Sequence, residues 1–267
     1  MLTAILRSLR TGVVTIRYPQ DPASPPERFR GAPLVQPGSL MANLPAPSVC
    51  PSQAITSDSG RYTIDHGRCI FCGRCAERSA EGAIALGRQV ELASRSRARL
   101  SVEVASDRNG KAVPVPLPSA GEAADDIRRT LGRSLALRHL DAGSCNACDW
   151  ELTALLNPVY DIRRLGVDFV ASPRHADGVI VTGPVTRNLE TAVRRTYEAT
   201  PAPRVVIAVG ACATSGGIAG QSYASAGGVA EVLPVDVFIP GCPPRPEAII
   251  FGILLAVGRV AERGAGS

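Results

Sequence analysis

Lysine is almost missing from this chain: Lys111 is the only one, and every other basic side chain that is charged at neutral pH is arginine. Aromatic residues make up only 4% of the 267 residues, so the core has to be built from aliphatic side chains. No run reaches the ~20 apolar residues that a membrane-spanning helix needs. The first nine residues form only a short apolar stretch with Arg7 inside it, which does not read as a secretory leader. The net charge of +5 comes from arginines scattered among acids, a pattern that argues against a nucleic-acid-binding face. There is no P-loop, no dinucleotide fingerprint and no nucleophile next to a base. The three histidines, His66, His139 and His175, stand apart in sequence, and His139, inside a strand pattern, reads as a satisfied core residue rather than a ligand. What these absences leave is a globular chain of ordinary composition, 45% hydrophobic and 20% charged, expected in a cytoplasmic setting where thiols stay reduced.

Cysteine, by contrast, is plentiful. The eight are Cys50, Cys69, Cys72, Cys75, Cys145, Cys148, Cys212 and Cys242. Disulfide frameworks belong to small secreted chains, which this is not. A zinc ribbon places its two C-x-x-C pairs about 15–20 residues apart, and Cys69/Cys72 and Cys145/Cys148 are far more widely separated. The triplet Cys69, Cys72, Cys75 has the spacing with which three thiolates wrap three corners of an iron–sulfur cube, the fourth corner taking a remote cysteine. Zinc and buried structural thiols are the alternative readings.

Bacterial two-cluster ferredoxins carry two runs of C-x2-C-x2-C-x3-C-P, and the last cysteine of each run ligates the other cluster. The second run here reads Cys69, Cys72, Cys75 and then Ser79 and Ala80 where Cys-Pro belongs. Counting back from Cys50 and Pro51 puts Ala46, Asn43 and Leu40 at the three leading positions of the first run. The four missing ligands are those of one cluster, and the four retained, Cys50, Cys69, Cys72 and Cys75, are those of the other. The spacing therefore predicts a ferredoxin-like unit that keeps one of two clusters. Ser52-Gln53-Ala54-Ile55 and Glu81-Gly82-Ala83-Ile84 follow the two run ends in the same register and support an internal repeat.

From about residue 134 the pattern becomes short Val- and Ile-rich runs at 135–140, 167–171, 178–181, 204–209 and 235–239, bounded by Gly, Pro or Asp, with helical stretches at 150–156, 189–199 and 246–260. Such alternation predicts an α/β fold, an open parallel sheet covered on both faces. Cys145, Cys148, Cys212 and Cys242 all fall just past strand carboxyl ends, where open α/β sheets bind ligands. They form a second candidate iron–sulfur site, with buried structural cysteines as the alternative.

The strings Gly143-Ser144-Cys145-Asn146-Ala147-Cys148-Asp149, Val181-Thr182-Gly183-Pro184-Val185-Thr186, Gly210-Ala211-Cys212-Ala213 and Pro240-Gly241-Cys242-Pro243-Pro244-Arg245-Pro246-Glu247 resemble the small subunit of NiFe-hydrogenases and its relative, the 20 kDa subunit family of complex I. The resemblance covers residue 135 onward. It implies a flavodoxin-like sheet whose four cysteines hold a 4Fe-4S cluster against a large partner subunit. Further upstream, Gly12-Val13-Val14-Thr15-Ile16-Arg17-Tyr18-Pro19, Arg28-Phe29-Arg30-Gly31 and Leu86-Gly87-Arg88-Gln89-Val90-Glu91-Leu92-Ala93 resemble the ferredoxin-like subunit family of complex I and its formate hydrogenlyase counterpart. The chain thus resembles two electron-carrying subunits fused into one. Three departures matter. The 20 kDa subunit of complex I has two adjacent cysteines at its first motif, whereas Cys145-x-x-Cys148 has the hydrogenase-like spacing. The twin-arginine leader and extra C-terminal cysteines of periplasmic uptake hydrogenases are missing. The loss of one ferredoxin cluster puts the usual electron route through that unit in doubt.

The resemblance implies two 4Fe-4S clusters and an electron-transfer subunit of a cytoplasm-facing, membrane-associated NiFe-hydrogenase of the formate hydrogenlyase or energy-converting type. It partners a large catalytic subunit and other electron-transfer and membrane subunits, and no catalysis comes from this chain alone. The alternatives are the equivalent subunit of a complex-I-like quinone-reducing enzyme and a non-redox zinc-binding scaffold. Glu151, one helical turn after Cys148, stands either in a proton path at the subunit interface or as an acid favoured near a helix N-terminus. Leu2, Ile5, Leu6 and Leu9 recur at helical spacing, as in a helix that lies on a membrane, docks on a membrane subunit or packs on the chain itself. The expected division is 1–48, amphipathic helix and a Pro-rich extended arm (19–47) wrapping a partner; 49–95, ferredoxin-like; 96–134, a hairpin at 100–115 and a helical linker at 120–135; and 135–267, the unit that resembles the hydrogenase small subunit and the 20 kDa subunit.

Overall fold

The computed structural model describes residues 2–121 and 125–263. Its N-terminal half holds helix α1 (Leu2–Thr11), strands β1 (Pro33–Val35), β2 (Ile55–Asp58) and β3 (Arg61–Asp65), helix α2 (Arg74–Arg78), and strands β4 (Ile84–Leu86), β5 (Ser101–Ser106) and β6 (Ala112–Pro114). Strands β2, β3, β5 and β6 form one antiparallel sheet in that order, and β1 pairs antiparallel with β4. The expected hairpin is β5–β6, turned through Asp107, whose carboxylate accepts the N–H groups of Asn109 and Lys111. It is joined to β3, and β1 reaches back to β4, so hydrogen bonding crosses the divisions expected at 48/49 and 95/96.

The internal repeat is visible in the backbone. Gln53 and Gly82, equivalent positions of the two run ends, both adopt left-handed φ, 54° and 65°. The residues that follow, Ala54 and Ile55 in one copy and Ala83 and Ile84 in the other, are all buried. Asn43, at a vacated ligand position, donates to Glu81 across 2.8 Å. Ser79, in the place of the lost remote cysteine, closes the end of α2: its hydroxyl donates to the Ala76 carbonyl and accepts the Ile84 N–H.

Helix α3 (Asp125–Leu131) falls within the expected linker, of which residues 122–124 lie outside the described residues. It leads into β7 (Leu135–Asp141), α4 (Ala147–Ala154), β8 (Val167–Phe169), β9 (Gly178–Thr182), α5 (Arg187–Ala199), β10 (Val205–Val209), α6 (Gly210–Ser215), β11 (Val237–Ile239) and α7 (Pro246–Ala256). The five strands are parallel throughout, in the order β11-β10-β9-β7-β8. This is the flavodoxin-like 2-1-3-4-5 winding, with the direction of winding reversing between β7 and β9. Gly-Val-Ile-Val-Thr and Val-Val-Ile-Ala-Val, the two central strands, are buried at every residue, as a sheet covered on both faces requires.

Apart from Glu247 in its first turn, helix α7 is apolar all round, and it is buried along its whole length. One side lies on the sheet, where a Cβ on Gly252 would meet Ile239 at 2.3 Å. The rest is covered by the N-terminal half: Tyr18, Val90 and Ala93 belong to the same core as Ile249, Phe251 and Leu254. The chain pairs Ser94 with Phe238 through two backbone hydrogen bonds, adding to the β11 edge. The 19–47 stretch, expected to wrap a partner, is held by the chain itself. Arg88 donates to the carbonyls of Pro25 and Glu27, and Arg30 to that of Cys72. Just before it, Arg164 holds the carbonyls of Ile16 and Tyr18. The physical reason is that α7 presents more apolar surface than the sheet alone can cover.

Candidate metal centres

Cys50 follows a turn of 3-10 helix at Pro47–Val49, Cys69 and Cys72 lie on the loop after β3, and Cys75 lies in α2. All four line one cavity, together with Ile55, Ile64 and Phe71. Backbone N–H groups point at sulfur, among them Ala54 to Cys50 Sγ at 3.2 Å and Phe71 to Cys69 Sγ at 3.3 Å. Phe71 reaches its position with φ at 55°, the left-handed region that bulky side chains seldom occupy. Asp65 steadies the loop. Its carbonyl accepts the Cys69 N–H at 3.0 Å, and its carboxylate takes the Gly67 N–H and a two-pronged ion pair from Arg97. Burial pushes the Cys69 thiol up to about 12 and raises Cys75 as well.

The second quartet stands at the carboxyl edge of the parallel sheet. Cys145 and Cys148 follow β7, Cys212 follows β10 and Cys242 follows β11. Cys148 and Cys212 are inside short helices, α4 and α6, and not on the loops before them. Each of the six pairs among the four thiols is within electrostatic reach. Burial raises the thiols of Cys148, Cys212 and Cys242, and their neighbours in the quartet add to this. Gly210, at φ 90°, leaves room that no other residue leaves: a Cβ there would lie 2.6 Å from Cys148 Sγ. Cys145 and Cys242 are exposed, as is Trp150 two residues beyond Cys148. Between the quartets runs a cleft lined by Ile70 and Phe71 on one wall and by Cys242 and Arg245 on the other; the same Ile70 and Phe71 line the first cavity.

The family described as NADH ubiquinone oxidoreductase, 20 kDa subunit, matches residues 145–256. A probable membrane-bound hydrogenase subunit of Pyrococcus furiosus is 50% identical over 49% of this chain and 79% of its own length. The chain belongs to the 20 kDa subunit family. Formate hydrogenlyase subunit 7 of Escherichia coli is 38% identical over 58% of this chain and 62% of its own length. An NADH-quinone oxidoreductase subunit of Citrifermentans bemidjiense is 45% identical over 43% of this chain and 67% of its own length. The family match takes in Cys145, Cys148, Cys212 and Cys242 and leaves Cys50, Cys69, Cys72 and Cys75 outside it.

Around this family region the structure corrects one expectation and adds to another. His139 is not a core residue. It is half-exposed on β7, its Nε2 2.8 Å from Asp149 Oδ1 and 3.0 Å from Thr182 Oγ1, and it lines a cavity with Leu156 and Phe169. Burial lowers its pKa, with Asp149 pulling the other way. Thr182 also donates to Asp149 at 2.7 Å, and Ser144 donates to the other carboxylate oxygen. This network, which holds the residue next to Cys148, was not legible as a unit, because its members come from β7, β9, α4 and the loop before α4. Glu151 stands near Arg245 and Glu247; burial raises its pKa, and Arg245 offsets part of the rise. Arg245 in turn pairs with the buried Glu247 at 2.9 Å. Among the described residues, no three His, Cys, Asp or Glu side chains converge closely enough to hold a single metal ion.

Proposed function

We propose that each cysteine quartet holds a 4Fe-4S cluster and that the chain is an electron-transfer subunit of a membrane-associated, cytoplasm-facing NiFe-hydrogenase complex. The two clusters would be held by Cys50, Cys69, Cys72 and Cys75 and by Cys145, Cys148, Cys212 and Cys242. An all-thiol donor set suits iron–sulfur or zinc. In a tetrahedral zinc site the thiolates crowd to within roughly 3.8 Å of one another, given Zn–S of about 2.3 Å. Here the first quartet surrounds a cavity, with N–H groups directed at two sulfurs, an arrangement that suits the larger group and tunes it. Such clusters supply one-electron transfer. The chain's residues contribute the thiolates, a polar network behind Cys148 and a short protein path between the sites.

The observation that carries this reading is the shared Ile70–Phe71 wall: the loop that bears Cys69 and Cys72 is also the wall that faces Cys242. The two ligand sets are neighbours across one layer of protein, as an electron-transfer chain needs. The N-terminal half reads as a fused ferredoxin-like subunit, with 49–95 and 135–267 as the cluster-bearing parts and 1–48 and 96–134 completing and joining them. The exposed Cys145, Cys242 and Trp150 face a large catalytic subunit, where the bond-making chemistry belongs. No described helix is long and apolar enough to cross a membrane; attachment is peripheral, through partners and through α1, which leaves Ile5, Leu6 and Leu9 exposed. The hydrogenase reading ranks above a complex-I-like quinone reductase because a hydrogenase relative matches the chain at 50% identity and Cys145-x-x-Cys148 has the hydrogenase spacing.

Iron and acid-labile sulfide, measured after anaerobic purification, test the assignment. About eight of each per chain is expected, the sum of two cubanes, falling to about four in Cys50→Ala. Zinc without sulfide in folded protein overturns the reading.

A further inference from the structure

We infer that Gly67 sets the spacing between the two cysteine quartets, acting as a positioning residue for electron transfer through its contact with Thr214. The inference rests on the reading of both quartets as cluster sites. Gly67 is buried two residues before Cys69, and Thr214 is buried two residues after Cys212. A Cβ placed on Gly67 would lie 2.9 Å from Thr214 Cγ2 and 2.7 Å from the Arg97 guanidinium carbon. Gly67 does not have a left-handed φ, so glycine is required there for space and not for backbone conformation.

Both sides of the contact are held in place by their neighbours. On the first, Asp65 accepts the Gly67 N–H at 2.9 Å, its carbonyl holds the Cys69 N–H, and Arg97 is fixed on the same carboxylate by two bonds of 2.8 and 2.7 Å. On the second, Thr214 is buried in α6, whose C-terminal end packs on Gly228 so closely that a Cβ there would come within 3.0 Å of the Thr214 carbonyl oxygen. Close-packed segments transmit a displacement instead of absorbing it. A methyl group at position 67 thus pushes the Cys69 loop, together with the segments that carry Cys50 and Cys75, away from α6, and the distance between the quartets grows.

The test is made on the full chain, purified anaerobically and fully reduced with a low-potential reductant. In Gly67→Ala, iron and sulfide content and the separate electron paramagnetic resonance signals of the two clusters are expected to be unchanged. The magnetic interaction between the clusters is expected to weaken and electron transfer between them to slow. Adding Thr214→Ser, which removes the opposing methyl and leaves the Arg97 contact, is expected to restore both in part. Thr214→Ile crowds the same contact from the other side and is expected to reproduce the loss; it replaces Gly67→Ala should that variant fail to hold iron. Unchanged interaction and rate in a fully loaded crowded variant overturn the inference, as does a loss that Thr214→Ser leaves unrelieved in Gly67→Ala. If the wild-type chain lacks two clusters, the underlying reading fails instead, and the iron assay reports that separately.

Discussion

Buried thiols such as Cys69 and Cys148 are held protonated by the cost of placing a bare charge in protein. Metal loading must therefore displace protons, and the positive charge of the bound iron takes over from them. What the neighbouring residues contribute is space and donors. Gly210 supplies space: Gly210→Ala puts a methyl 2.6 Å from Cys148 Sγ at φ 90°. The expected outcome is loss of the second quartet's iron, leaving about four per chain, with the first site's spectrum intact. His66 illustrates the cost of burial. It is fully enclosed, its Nε2 lies 2.9 Å from the Pro33 carbonyl oxygen, and its Nδ1 has no partner. Burial lowers its pKa below the usual 6.5. The unfolded chain therefore binds a proton that the folded chain refuses. The stability involved is fully present above pH 6.5 and drains away as the pH falls through that value towards the depressed native one. Thermal melts across this window should show His66→Gln flattening the acid side of the profile.

Individual elements owe their positions to contacts that local pattern does not reveal. Helix α7 reads as helical within 246–260, but only its burial on every side shows that a second layer covers it. The covering strand segment is fastened by the residues after α7. The Glu262 carboxylate, almost wholly enclosed, accepts from Ser94 at 2.7 Å and from Arg99 and the Arg95 backbone. Removing one member of such an enclosed pair strands the other, so Glu262→Ala should cost about 3 kcal/mol, read as a lower urea midpoint at unchanged slope. Helix α4 begins at Ala147, earlier than the apolar pattern at 150–156 suggests, because residues 143–149 are arranged by side chains: Asp141 takes the N–H groups of Gly143 and Ser144, and Ser144 reaches Asp149. A side chain also ends strand β11 early. Asp236, expected inside it, takes the Val206 N–H with its carboxylate, while its own N–H donates to the Val206 carbonyl.

For the molecule as a whole, the two halves are assembled around one helix and one seam, and their shared wall places the quartets side by side. Glu151 sits at the rim of that arrangement, with a raised pKa from burial and Arg245 nearby. In the proposed hydrogenase complex, Glu151→Gln should slow hydrogen turnover while leaving the two proposed clusters reducible. Turnover equal to wild type would assign Glu151 a purely local part at its helix.

Cysteine spacing alone determined a great deal. The proposed ligand sets are local in sequence or anchored by a strand end, so Cys69, Cys72 and Cys75 pick out Cys50 by register, and the Val-rich strands place the other four thiols at one sheet edge. The repeat relating Gln53 to Gly82 was legible for the same reason, since it is a local backbone requirement. The tertiary structure decided what depends on chains meeting in space. It brought His139 out to Asp149, made residues 19–47, expected to wrap a partner, a segment held by Arg88 and Arg30, and set Gly67 against Thr214. None of these contacts leaves a periodic trace, because each joins residues from different elements, and their energy appears only once packing has excluded water from between them.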